Sequence, residues 1–234
     1  MTQSTDPGPV TTNGPYRRHE QWTKAGPVIS YLPEERVYEL QEVAEASVGD
    51  PTPMGLFGFA VGTLLVAIPI STKVPLNNIT ATLPTLLVFA GLAQFIAGLV
   101  AYRKGNTFAA TAMCSFGANN VVVATFYLFM GTGVFPQNAD TMRMLGIDLI
   151  CFGYVALILM LAAVRFSAAF VLVLLALWPG YALVGIGNVG APNTVTQVGA
   201  WFLIVSAGFA FYTAGALALN SAYNRTILPM FTRA

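Results

Sequence analysis

The sequence predicts an all-α membrane protein of six transmembrane helices with both termini cytoplasmic. Three observations carry this reading. Of 234 residues, 56% are hydrophobic and only 9% charged, whereas a soluble domain carries about 25% charged residues. Six apolar runs, at 54–73, 82–102, 107–130, 144–164, 167–187 and 197–222, each match the roughly 20 residues that cross a bilayer. With the N-terminal tail inside, nine of the 11 basic residues are cytoplasmic and only Lys73 and Arg143 lie outside, as the positive-inside rule expects.

Residues 1–32 are polar and rich in Pro and Gly. They contain no apolar signal-peptide core, so the first span is expected to target the chain. Residues 33–49 predict an amphipathic helix. Pro33, Glu34 and Glu35 suit a helix start, and Val37, Leu40, Val43 and Ala44 recur at helical spacing. Its acidic polar face leaves two partners open, a membrane surface or a protein neighbour, because interfacial helices favour Lys and Arg. Residues 50–229 form the expected six-helix domain and 230–234 a short tail. The breaks between spans are short, and one carries an N-I-T sequon at Asn78.

The first span opens at "DPTPMGLFGF". Pro51 and Pro53 are expected to hold the chain extended and to stop a helix running backward. Asp50 can accept from the free N–H groups of the helix start, while Gly55 and Gly58 admit a neighbouring backbone or a solute. Gly58 and Gly62 make a GxxxG pair, and Gly91, Ala93, Ala97 and Gly98 stud the second span, a pattern that lets membrane helices approach closely. In the fourth span Asp148 is read as the acid of a helix N-terminus, in preference to a proton relay. In the fifth, Pro179 and Gly180 predict a break, either a packed kink or the wall of a path. Cys114 and Cys151 are read as reduced core residues.

Composition also excludes functions. No cluster of Lys and Arg could follow a nucleic-acid backbone. Convergent nucleophiles, acids and bases are lacking, so no enzyme is expected, and no metal-ligand spacing or cofactor motif stands out. "GIGNVG" at Gly185, Gly187 and Gly190 has dinucleotide-fingerprint spacing, but it follows an apolar helix instead of a strand. Uncharged polar residues within the spans are the stronger signal, because such groups are costly in a membrane and often line a pathway. Asn106, Thr107, Ser115, Asn119, Asn188 and Asn220 are the candidate solute contacts, with Gln94, Thr111, Asn120, Ser206, Tyr212 and Thr213 adding hydrogen bonds.

The opening "DPTPMGLFGF" resembles the N-P-x-P-L-G-L-x-G-F signature of the acetate uptake transporter family, also called GPR/FUN/YaaH, which includes succinate–acetate permeases. "GLAQFIAGLVAYRKGNTFAATAMCSFG", "IGNVG" and "NRTILP" resemble later family segments in the same order. The resemblance implies six helices around a pore in each protomer, a homohexamer, and passage of small monocarboxylates such as acetate, with succinate a further candidate, past a hydrophobic constriction. It puts the constriction's Phe at Phe59 and its Leu at Leu177. The family's Tyr falls at Phe116, which removes a hydroxyl. Asp50 replaces the signature Asn, and Ala101 stands where many members carry Glu. The implied setting is the plasma, or inner, membrane. Two rival readings remain: a channel for small neutral solutes, and a non-transporting scaffold or sensor that uses the acidic tail. The topology is directly testable. A cysteine introduced at Asn78 or Pro192 is expected to react with an impermeant thiol reagent from outside only, and labelling from the cytoplasmic side would overturn the assignment.

Overall fold

The structure, a computed structural model, describes residues 49–74 and 79–231. The helix expected over 33–49, apart from Gly49, and the Asn78 sequon lie outside the described residues. Within them are six helices long and apolar enough to cross a membrane: α1 (Thr52–Thr72), α2 (Thr80–Arg103), α3 (Thr107–Gly131), α4 (Ala139–Ala163), α5 (Ala168–Val189) and α6 (Asn193–Tyr223). Each packs on its neighbour in the chain, and α1 also packs on α6 and α3. The helices thus follow one another in a ring that α1 closes.

Local chemistry sets the helix starts. Asp50 Oδ1 accepts from the Thr52 N–H at 3.0 Å and from Thr52 Oγ1 at 2.6 Å, which satisfies a donor that the first turn leaves free. Pro51 departs from the extended conformation expected of it. At φ −77° and ψ −11° it is already in the helical region, and proline's fixed φ suits that position. Asn106, Asn138 and Ser167 cap α3, α4 and α5 through their side-chain oxygens.

The Asn138 cap corrects the reading of Asp148. It starts α4 at Ala139, ahead of the apolar run, so Asp148 stands about two and a half turns inside the helix. It is no capping acid. Its Oδ2 is buried without a hydrogen-bond partner. Cys151, expected in the core, is exposed on α4, while Cys114 is half-buried with Sγ 3.7 Å from the Phe95 carbonyl. Helix α5 runs unbroken through Pro179, where a break was expected. Gly180 there admits Leu203 of α6, whose Cδ2 would lie 2.6 Å from a Cβ. The position is packed.

Small residues set the closest approaches, as their spacing suggested. A Cβ on Gly62 would come within 2.5 Å of Ala90, and one on Gly58 within 3.0 Å of the Phe89 carbonyl. At the α4–α5 crossing two glycines face each other: a Cβ on Gly185 would lie 2.6 Å from the Gly146 carbonyl, and one on Gly146 2.7 Å from that of Gly185. This explains part of "GIGNVG" as helix packing. Helix α2 is irregular. Residues Leu86–Ala93 are π-helical, a geometry that is rare and frequent at functional sites. Asn120 of α3 donates to the Ala90 carbonyl at 3.0 Å and to Gln94 Oε1 at 3.2 Å, so both its amide protons hold this segment.

After α6 the chain turns back and is pinned. Asn220 Oδ1 accepts from the Ile227 and Leu228 N–H groups at 2.6 and 3.0 Å, and its Nδ2 donates to the Leu228 carbonyl at 2.8 Å. Tyr212 Oη donates to the Pro229 carbonyl and Ser167 Oγ to that of Met230. Two outcomes follow from this packing. Gly185→Val should lose about 1–3 kcal/mol by overpacking against backbone, whereas Gly208→Ala, with nothing within 4 Å of the new Cβ, should stay within about 0.5 kcal/mol. Thermal unfolding in detergent measures both, and equal losses would contradict the Gly–Gly contact. Asn220→Ala should free residues 227–231 for proteolysis, a local loosening of about 1–3 kcal/mol; an unchanged digestion rate would mean that other contacts hold the segment.

Candidate functional site

The periodicity of α1, α3 and α5 aims residues three and four apart at the bundle interior, and three cavities lie along the faces so formed. The widest, about 480 Å³, gathers the ends of several helices and is lined by Asp50, Thr52, Asn106, Thr107, Ser167 and Met230 among others. The second, about 30 Å³, is almost wholly apolar, with Gly55, Phe59, Phe108, Phe116, Phe170 and Leu174 in its wall. The third, also about 30 Å³, is lined from α1, α3, α4, α5 and α6. Its polar groups are Thr63, Asn119, Asn120, Tyr127 and Tyr181.

Residue order stacks these cavities. Along α3 the lining passes from Thr107 and Phe108 at the wide mouth, through Ala112 and Phe116 at the apolar cavity, to Asn119 and Tyr127 at the polar one. Along α5 it passes from Phe170 to Leu174 and then to Tyr181. Leu177 falls between the last two. It is wholly buried, and it shares one continuous apolar cluster with Phe59 and Phe116. The Phe59 and Phe116 rings are 5.6 Å apart and tilted by 55°. Phe116 in turn stacks on Tyr181 at 6.1 Å and 18°, so a phenol hydroxyl, absent from residue 116, is supplied by the next turn of α5.

The polar residues singled out in the sequence divide. Asn106 and Thr107 line the mouth, although the Asn106 side chain is also committed to capping α3, accepting from the Ala109 N–H at 3.0 Å. Asn119 lines the polar cavity and donates to Tyr181 Oη at 3.0 Å. Ser115 and Asn188 are half-buried and line none of the three cavities; Asn188 packs against Gly146 at the α4–α5 crossing. Asn220 spends its amide on the C-terminal segment. Of the signature residues, Asp50 lines the mouth and Gly55 the apolar cavity. Pro51 and Pro53 begin α1, and Gly58 faces α2.

Sequence reasoning missed Tyr181 and Tyr127 as cavity residues, because an aromatic ring in an apolar run reads as core. Tyr181 was findable, since it lies four residues beyond Leu177 and so one helical turn along the same face. Asn120 was noticed only as a polar group within a span; it lines the cavity while holding α2. Among the described residues no three of His, Cys, Asp and Glu come together as a metal set. No Lys or Arg lines any of the three cavities. The cavities offer a small solute hydrogen bonds but no positive charge.

Known proteins are similar to this chain in sequence and in fold. The model of the GPR1/FUN34/yaaH family matches residues 35–232. The succinate-acetate/proton symporter SatP of Escherichia coli K12 is 27% identical over 188 residues, which is 80% of this chain and 98% of that protein. Acetate permease A of Emericella nidulans is 26% identical over 203 residues, covering 81% of this chain and 68% of the permease. Ammonia transport outward protein 2 of Saccharomyces cerevisiae is 28% identical, over 70% of this chain and 60% of the yeast protein. Among solved structures, that of the bacterial acetate channel SatP superposes with a TM-score of 0.72 at 28% identity, covering 79% of this chain and 99% of the channel. The chain is an integral membrane protein with the six-helix fold of that channel, and it belongs to the GPR1/FUN34/yaaH family.

Proposed function

We propose that this protein is a membrane channel for small monocarboxylates such as acetate, with residues 50–229 as the channel domain and no catalytic activity. The observation that carries the reading is the stack itself: a wide mouth, an apolar cavity walled by Phe59 and Phe116, and a polar cavity beyond; we take these two rings and the buried Leu177 as the plug between the cavities. The names of the bacterial and fungal relatives support acetate as substrate. The plasma, or inner, membrane is its setting, with both termini cytoplasmic and the mouth at Asp50 opening inward.

Three large apolar side chains around a narrow path exclude water, so a solute must shed its hydration to pass. Solute contacts then fall to Asn106 and Thr107 at the mouth and Asn119 beyond the plug. Asn188 and Asn220 act through packing and anchoring, and Ser115 lines none of the three cavities. A homohexamer is the assembly we infer. Exposed side chains on α4, Met144, Ile147, Cys151, Tyr154, Ile158 and Leu161, repeat every three or four residues and suit contact with either lipid or a second copy.

A second reading has one observation in its favour. The polar cavity is small and its lining is uncharged, and one yeast relative is named for ammonia transport, so a small neutral solute would also suit it. Flux measurements separate the readings. Leu177→Ala should raise lactate and succinate flux relative to acetate by about tenfold, the scale on which an apolar pocket discriminates by size. The milder Leu177→Val should shift it in the same direction, and Phe116→Tyr should ease acetate passage. If both Leu177 variants fold to normal yield with unchanged relative rates, the constriction lies elsewhere. Ammonia flux without acetate flux would favour the neutral-solute channel.

A further inference from the structure

The lining of the polar cavity changes character along its length, and it does so in the same sense on three helices. On α1 it runs from Gly62 and Thr63 to Val66 and Ile70, on α3 from Asn119 and Asn120 to Val123 and Tyr127, and on α5 from Tyr181 to Val184. At about 1.5 Å per residue the second set stands roughly one to two turns farther from the mouth than the first. Helix α4 enters at that far end, where the short connection from α3 delivers it, and contributes Leu145 and Leu149 from its first half.

This far end is closed. Val123, Tyr127, Leu145 and Val184 are all buried there, Val184 at only 1% exposed, which side chains at the rim of an open vestibule could not be. The mouth gives the contrast: its Asp50, Asn106 and Thr107 are exposed. The four buried side chains belong to the same apolar cluster as Phe59, Phe116 and Leu177, and Val66 and Ile70 pack against it. Thr63, Asn119 and Tyr181 thus lie between two apolar layers, one toward the mouth and one away from it. Apolar constrictions close by excluding water. A solute that crosses one layer regains hydrogen bonds in the cavity before it meets the next, so no polar group is carried unpaired over the whole distance, where its desolvation would be most costly.

We propose that Val66, Ile70, Val123, Tyr127, Leu145 and Val184 form a second, outer constriction, so that the polar cavity is a chamber closed at both ends and a solute crosses two dry layers in turn. This outer layer deepens the channel reading above and rests on it. Thiol accessibility tests it without relying on flux. In the full chain carrying Cys114→Ala and Cys151→Ala, reconstituted in vesicles of uniform orientation, a reporter at Thr63→Cys should react with an impermeant cationic methanethiosulfonate, added on the side away from the mouth, about a hundredfold more slowly than one at Val134→Cys, because the reagent must shed water to cross an apolar layer. Val134 lies in the α3–α4 connection and is 64% exposed. Leu145→Ala and Val184→Ala, each purified at normal yield, should speed the labelling of Thr63→Cys by about tenfold, the scale on which apolar bulk discriminates by size. Leu177→Ala should leave it unchanged, since the inner plug lies on the other side of the reporter. Labelling of Thr63→Cys at the Val134→Cys rate would overturn the outer constriction and leave the channel reading standing. Equal rates with and without both alanine variants would do the same, as would acceleration by Leu177→Ala alone. Acetate flux is read separately in vesicles of the unsubstituted chain, and none above background would remove the channel reading itself.

Discussion

Scarcity of water governs this molecule. Within a bilayer a polar group has no solvent to fall back on, so each one must find a partner in the protein or mark a place where something else supplies it. Most of the polar side chains here obey the first rule locally. Asn106, Asn138 and Ser167 close helix starts, Asn220 ties down the returning chain, and Asn120 holds the irregular stretch of α2. Among the described residues, Asn119 and Asp148 each keep a buried side-chain oxygen unpaired.

The ring of helices is held together by shape more than by bonds. Apolar side chains gain little by leaving lipid for protein, so close backbone approach must do the packing. The glycines at 58, 62, 146 and 185 do this, and they free volume toward the axis for larger side chains. On α1 Gly58 faces α2, Phe59 and Thr63 face the cavities, and Gly62 does both. Packing and pathway thus meet along one helix.

Much of this was legible in the sequence, because hydrocarbon thickness imposes a length on each span and the apolar runs display it. Phe59, Phe116 and Leu177 were reached through motif resemblance, and they do fall within one buried cluster. Asp148 was misread because the apolar run of the fourth span starts late, while its helix starts at the polar turn that Asn138 caps. Asn220 and Asn188 read as pathway residues because polarity within a span reports a need for partners and says nothing of which side supplies them. The π-helical stretch left no readable mark in its apolar run, and the side-chain hydrogen bond that reaches it comes from another helix.

That stretch has a consequence for how α2 transmits position. Eight residues wound with the wider i→i+5 closure hold the lower half of the helix out of phase with the upper half. Were they to rewind as ordinary α-helix, every residue below would turn about the axis, by about 100° for each residue of slack taken up. Gln94 would swing off its Asn120 donor, carrying with it a side chain that now walls the apolar cavity. The Asn120 amide thus joins the irregular turn of α2 to the wall of the apolar cavity.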